Sequence, residues 1–167
     1  LGFLWMAIEM TTLISSFLVG FYNTKNSVEA GWKYLIICSV GITIALLGTV
    51  LLYYNVVLHG GVKSLDWSVI MGVASHLDHR LMVVAFLFVL VGYGTKAGLV
   101  PMHTWLPDAH SQAMTPISAL LSGVLLKTSI YALIRFAIIA HKTLGTNFAF
   151  TVMMYAGLVS IGVASFF

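Results

Sequence analysis

Residues 92–131 read Gly92-Tyr-Gly-Thr-Lys96-Ala-Gly-Leu-Val-Pro101-Met-His-Thr-Trp-Leu-Pro107-Asp-Ala-His110-Ser-Gln-Ala-Met-Thr-Pro116-Ile-Ser-Ala-Leu-Leu-Ser-Gly-Val-Leu-Leu-Lys127-Thr-Ser-Ile-Tyr131. Two lysines, Lys96 and Lys127, stand in apolar surroundings on either side of an insert rich in proline and histidine. An ammonium at the centre of a membrane helix costs roughly 2.5–3.5 kcal/mol on insertion scales, so a membrane protein seldom carries one without using it. The membrane assignment comes from composition. The chain is 60 % apolar and 8 % charged, with a mean hydropathy of +1.01, against roughly 45–50 % apolar and 25 % charged in soluble domains.

Outward from this stretch, the apolar run from Leu81 to Gly92 reads as one span. Gly92, Gly94 and Gly98 bracket Lys96, and Pro101 then removes a backbone donor. These residues predict a broken helix with Lys96 close to the break, a geometry tolerated in membranes where the freed backbone is covered by protein or lines a cavity. Residues 102–115 read as a short amphipathic piece carrying His103, Trp105, Asp108 and His110. Pro116 suits the first turn of the next span, about 116–140, with Lys127 near its middle. Arg135 lies eight residues further, on a nearby face, and is expected to reach toward His141 and Lys142. A last span, about 147–167, has no ionisable group except Tyr155 and reads as packing.

Upstream, residues 1–22 form an apolar span with Glu9 near its middle. A polar connection over 23–30 leads to a second span, about 32–54, opened by a snorkelling Lys33 and closed by Tyr53 and Tyr54, as suits a water interface. Residues 55–80 are the most polar, and the apolar 69–74 within them are too few to cross. His76 and His79 share a helix face, but Asp78 between them points elsewhere and no third ligand is evident, so a solvated face is the better reading than a metal site. The fold class is therefore all-α: a single polytopic transmembrane bundle over 1–167, about five spans with one discontinuous helix. The start at Leu1, without an initiator Met, and the apolar end Ser165-Phe-Phe suggest a fragment of a longer chain.

Basic residues are scattered singly despite a net charge of +3, which argues against nucleic acid as a partner. Cys38 has no second thiol and reads as a small buried hydrophobe. The chemistry is left to one carboxylate and two ammonium groups, Glu9, Lys96 and Lys127, each within a different span. A desolvated amine keeps or sheds its proton according to whether a carboxylate stands beside it. A relay follows: Glu9 holds the proton on Lys96, withdrawal of Glu9 releases it, and Lys127 accepts it. Ser122, Thr128 and Ser129 either hold connecting water or back-bond to their own helix. His103 and His110, seven residues apart and thus able to share a helix face, are either further relay candidates or hydrogen-bonded structural or interfacial histidines, with Asp108 as a cap or a partner to either. Lys33 and Arg135 complete the set as possible relay or support. Against this stands the plain alternative that the charges only compensate one another.

These residues also resemble a known family. Lys96, then Pro101-Met-His-Thr-Trp-Leu-Pro-Asp-Ala-His110, then Thr115-Pro-Ile-Ser-Ala-Leu-Leu-Ser-Gly-Val-Leu-Leu-Lys127 are similar to the signature of the proton-antiporter-like subunits. These are shared by respiratory complex I, multi-subunit cation/proton antiporters and group 4 membrane-bound nickel–iron hydrogenases. With Trp5-Met-Ala-Ile-Glu9 and Ala30-Gly-Trp-Lys33-Tyr-Leu-Ile-Ile-Cys-Ser39, the chain most resembles the hydrogenase membrane subunits associated with formate hydrogenlyase. Met114 departs from the family, where many members carry proline before Thr-Pro. The resemblance implies around fourteen helices in two inverted five-helix bundles, of which this chain would be one. It implies that Glu9 is the membrane glutamate, Lys96 the lysine of a discontinuous helix that pairs with it, and Lys127 the central lysine of the next helix.

The function so implied is proton translocation within a redox-driven complex in a prokaryotic inner membrane, most consistent with a hydrogenase. Partners would be other membrane subunits and a peripheral redox arm. Redox catalysis and its cofactors would reside in those partners, none in this chain. A sodium/proton antiporter subunit, with sodium as the exchanged cation, and a non-transporting scaffold are the alternatives.

Overall fold

The structure is a computed structural model and describes residues 1–165. Among these residues every regular element is helical. Helix α1 covers Gly2–Val19, and α2 covers Lys25–His59. The start of α2 is earlier than the sequence predicts because Thr24 and Ser27 form a reciprocal capping box: each side chain accepts the other's backbone N–H. The expected polar connection over 23–30 is therefore largely the first turns of α2. At 35 residues this helix is about 52 Å long, well beyond the roughly 30 Å hydrocarbon core. Tyr53 and Tyr54 consequently lie within it rather than at its end.

The polar stretch after α2 holds only a short helix, α3 over Trp67–Val73, and a 3₁₀ turn over Ala74–His76. Helix α4 follows over His79–Ala97. Its cap is Asp78, whose carboxylate accepts the Leu81 N–H at 2.8 Å. That bond holds the Asp78 carboxyl below the usual carboxylate range and turns it toward its own helix. Among the described residues no three His, Cys, Asp or Glu side chains converge as metal ligands would.

The predicted break arrives later than its glycines suggested. Gly92 and Gly94 are helical, and α4 runs regularly through Lys96 before Gly98 ends it at φ +79°. There the Leu99 N–H reaches back to the Gly94 carbonyl at 2.8 Å, closing a Schellman motif. Gly92 serves packing instead: a Cβ there would lie 2.4 Å from the Ala45 backbone nitrogen on α2. The discontinuity spans 98–104 and ends in α5, Trp105–Gln112, in whose first turn Pro107 sacrifices no intrahelical bond.

Helix α6 covers Thr115–Leu120 with Pro116 in its first turn. A π turn over Leu121–Leu125 joins it to α7, Leu126–Leu144, which stops at left-handed Gly145. Together Thr115–Leu144 make one 30-residue apolar rod. Helix α8 covers Phe148–Ala164. The last two residues of the predicted fifth span lie outside the described residues.

Four rods, α1, α2, α4 and α6–α7, are long and apolar enough to cross a membrane, and α8 is a shorter apolar helix. The bundle is built on α2 packed against α4, with α1 on one side and α7 on the other. Loops alternate between two ends. At one, Lys142 Nζ meets the Met71 carbonyl. At the other lie the 20–24 turn, the 98–104 interruption and α5. Two apolar clusters fill the interior: one around Ile42, Leu52, Phe86, Tyr93 and Phe136, the other around Val19, Ala30, Tyr34, Cys38, Trp105 and Leu121.

Candidate functional site

Lys96 sits on the last turn of α4, facing α2, and only 1 % of its surface is exposed. Its ammonium donates to the Tyr34 hydroxyl and lies 4.5 Å from the centre of that ring. Tyr34 is itself buried, and its hydroxyl meets Ser15 Oγ at 2.7 Å. Ser15, Thr12 and Glu9 follow one another at three-residue steps on α1, so a polar strip of that helix faces α2. Glu9 is half-buried at the far end of the strip. One of its oxygens accepts the Ser39 hydroxyl at 3.0 Å, while the other, Oε2, is buried without a hydrogen-bond partner.

The sequence reading pairs Glu9 with Lys96, but the two are not in contact. Among the described residues the only ion pairs within 4.0 Å are those of Lys33. Each is held instead by a hydroxyl of α2, Lys96 by Tyr34 and Glu9 by Ser39. A buried ammonium held by neutral hydroxyls, with its nearest carboxylate at a remove, is less stabilised than a contact pair.

The interruption after Lys96 leaves Pro101, Met102 and Thr104 exposed, while its inner side toward Lys96 is closed by α5. Trp105 on α5 is buried, packs on Tyr34 with ring centroids 4.8 Å apart, and donates its indole N–H to the Thr95 carbonyl at 2.9 Å. This bond satisfies one of the carbonyls that the end of α4 leaves without a partner.

Lys127 stands elsewhere. It follows the π turn on the exposed side of α7, away from inward-facing Leu125 and Ser129. Leu121 and Leu125 belong to the cluster around Tyr34 and so stand between the Lys96 site and the outer face. No hydrogen-bonded chain links Lys96 to Lys127 among the described residues. Ser122, Thr128 and Ser129 all return their hydroxyls to carbonyls of their own helix.

The remaining candidates are dispersed. Lys33, expected to snorkel, is about half exposed and bridges Glu29 at 2.9 Å and Asp108 at 3.1 Å. Asp108 therefore pairs with neither histidine. His103 precedes α5 rather than sharing it with His110, and its Nδ1 is buried without a partner. His110 Nδ1 lies 2.6 Å from Ser118 Oγ, tying α5 to α6. Arg135 does not reach toward His141. It folds back to donate to the Tyr131 hydroxyl at 2.7 Å and stacks over Trp67 at 4.3 Å. The residue missed by sequence reasoning is Tyr34, with Ser15 and Ser39. Tyr34 and Cys38 are one helical turn apart in the stretch already singled out for resemblance, which was the available signal.

Comparison with known proteins places these residues in a family. The family described as "NADH:quinone oxidoreductase/Mrp antiporter, TM" matches residues 1–167. "Hydrogenase-4 component F homolog" of Methylacidiphilum infernorum is 43 % identical over 163 residues, covering 96 % of this chain and 34 % of that protein. "NADH-quinone oxidoreductase subunit M" of Pseudomonas aeruginosa is 34 % identical over 142 residues, covering 82 % and 26 %. The subunit M of Escherichia coli K12 is 31 % identical over 169 residues, covering 95 % and 31 %. The chain spans about a third or less of the length of these relatives. With a match along all of its residues, the chain belongs to the NADH:quinone oxidoreductase/Mrp antiporter transmembrane family.

Proposed function

We propose that this chain is a proton-translocating membrane segment of a multi-subunit, redox-driven complex, of the hydrogenase type, in a prokaryotic inner membrane. Glu9, Lys96 and Lys127 carry the proton. The relatives' names support the setting: one is a hydrogenase component and two are quinone oxidoreductase subunits. Redox cofactors belong to partner subunits in this reading, and the present chain answers their turnover by moving charge.

The observation that carries the proposal is the state of Lys96: 1 % exposed, held by the Tyr34 hydroxyl, and not in contact with Glu9. Two charges whose whole purpose was mutual compensation would touch, since separation forfeits most of their attraction. Separation instead leaves the amine responsive to small movements of Glu9, and the hydroxyls of Tyr34 and Ser15 give a proton somewhere to go. Lys127 is the exit in this scheme, reached by rearrangement at the π turn, a feature often found at functional positions.

The test is the whole complex reconstituted in vesicles, with the pH gradient followed during redox turnover. Lys96→Ala, Glu9→Gln and Lys127→Ala should each sharply lower pumping while subunit content stays normal. Failed assembly with normal coupling in the surviving complexes would favour the scaffold. A gradient that requires sodium would move the assignment to cation/proton exchange.

A further inference from the structure

Helix α5 has eight residues and is joined to α4 through left-handed Gly98 and to α6 through extended Ala113 and Met114. A helix this short has little stability of its own. Three polar contacts pin it, one to each neighbour: Trp105 to the Thr95 carbonyl on α4, His110 to Ser118 on α6, and Asp108 to Lys33 on α2. Among the described residues the last is the only ion pair joining two elements. It lies in a polar cleft of about 230 Å³ lined also by Asn26, Glu29, Ser111 and Gln112. Ala30 forms part of the cleft wall, and one turn along α2 from it is Tyr34. Ala30, Trp105 and Ala109, all buried, thus stand between the cleft and the Lys96 amine.

We infer that Lys33 and Asp108 are positioning residues for the Lys96 site: their ion pair clamps α5 onto α2 and keeps Trp105 seated as the plug between the polar cleft and the buried amine. The inference rests on the reading of Lys96 as a relay residue. Both partners are about half exposed, at 48 % and 45 %, so the pair is weak and sensitive to salt. A clamp of that strength opens and recloses readily. Glu29, one turn from Lys33 on the same helix, can hold the ammonium while Asp108 swings away.

Cys38 is the built-in reporter, fully buried in the same cluster as Trp105. In the complete complex, its modification by a small water-soluble methanethiosulfonate can be followed by peptide mass spectrometry. Lys33→Met and Asp108→Asn should each speed modification roughly two- to fivefold, the range an exposed ion pair supplies. The exchanged pair, Lys33→Asp with Asp108→Lys, should slow it again, and Glu29→Gln, which leaves the ammonium to Asp108, should not speed it. Unaltered rates in both single variants, no rescue by the exchange, or an effect of Glu29→Gln equal to that of Asp108→Asn would each overturn the clamp. If the variants assemble poorly, the unaltered complex gives the second reading: modification should quicken as ionic strength rises, and a flat salt profile overturns the inference. Labelling reports the seat of α5 and pumping reports the relay. Labelling that responds while Lys96→Ala still pumps would therefore keep the clamp and remove the relay.

Discussion

At the scale of single residues, the Lys96 site turns on a phenol. Tyr34 gives the ammonium its only hydrogen bond among the described residues and hands that bond on to Ser15. A hydrogen bond to a charged group contributes about 1.5–3 kcal/mol, and stripping it from a buried ion leaves the desolvation cost uncompensated. Tyr34→Phe keeps the ring packed on Trp105 and removes only the oxygen. Proton pumping in the reconstituted complex should fall by roughly an order of magnitude with assembly intact, a loss that corresponds to about 1.4 kcal/mol. Full pumping in Tyr34→Phe, beside a dead Lys96→Ala, would show that the proton leaves the lysine by another route.

At the scale of elements, the close approach of α2 and α4 sets where Lys96 meets Tyr34. Gly92 and Gly41 face one another there: a Cβ on Gly92 would lie 2.6 Å from the Gly41 carbonyl oxygen as well as against Ala45. These are backbone atoms and cannot swing aside, so Gly92→Ala must push the helices apart. Small residues at membrane helix contacts permit such closeness, and overpacking costs about 1–3 kcal/mol. The variant should lower the thermal stability of the complex in detergent and weaken pumping together; unchanged stability would mean the helices separate at no cost. The sequence made the spans legible because long apolar runs punctuated by Gly, Pro and charge admit few other folds. It did not expose the early start of α2, since Ser27 stands where a capping box usually has Glu or Gln. The π turn at Leu121–Leu125 was also hidden, because nothing in that apolar run marks an inserted residue. Glu9 and Lys96 were readable as ionisable groups in apolar surroundings, whereas Tyr34 was passed over because tyrosine in a membrane span is ordinary.

At the scale of the whole molecule, the outer side of α6–α7 carries Leu120, Val124, Lys127, Ile130, Tyr131 and Ile134, a stripe of apolar side chains with one ammonium in its centre. Facing hydrocarbon, that charge would cost roughly 2.5–3.5 kcal/mol with no partner to offset it. In the multi-subunit setting proposed above, neighbouring protein is a ready source of cover. The stripe is therefore expected to face protein or a water-filled space, and under the relay proposed above Lys127 would meet there the group that takes its proton. Lys127→Cys carrying a nitroxide, in the complete complex in lipid, tests this directly. Its relaxation should respond weakly to oxygen dissolved in the bilayer, whereas a nitroxide in place of Phe17, on the outside of α1, serves as the comparison. Equal and strong oxygen collision at both positions would put Lys127 against lipid, and the exit from the relay would then have to be sought on another residue.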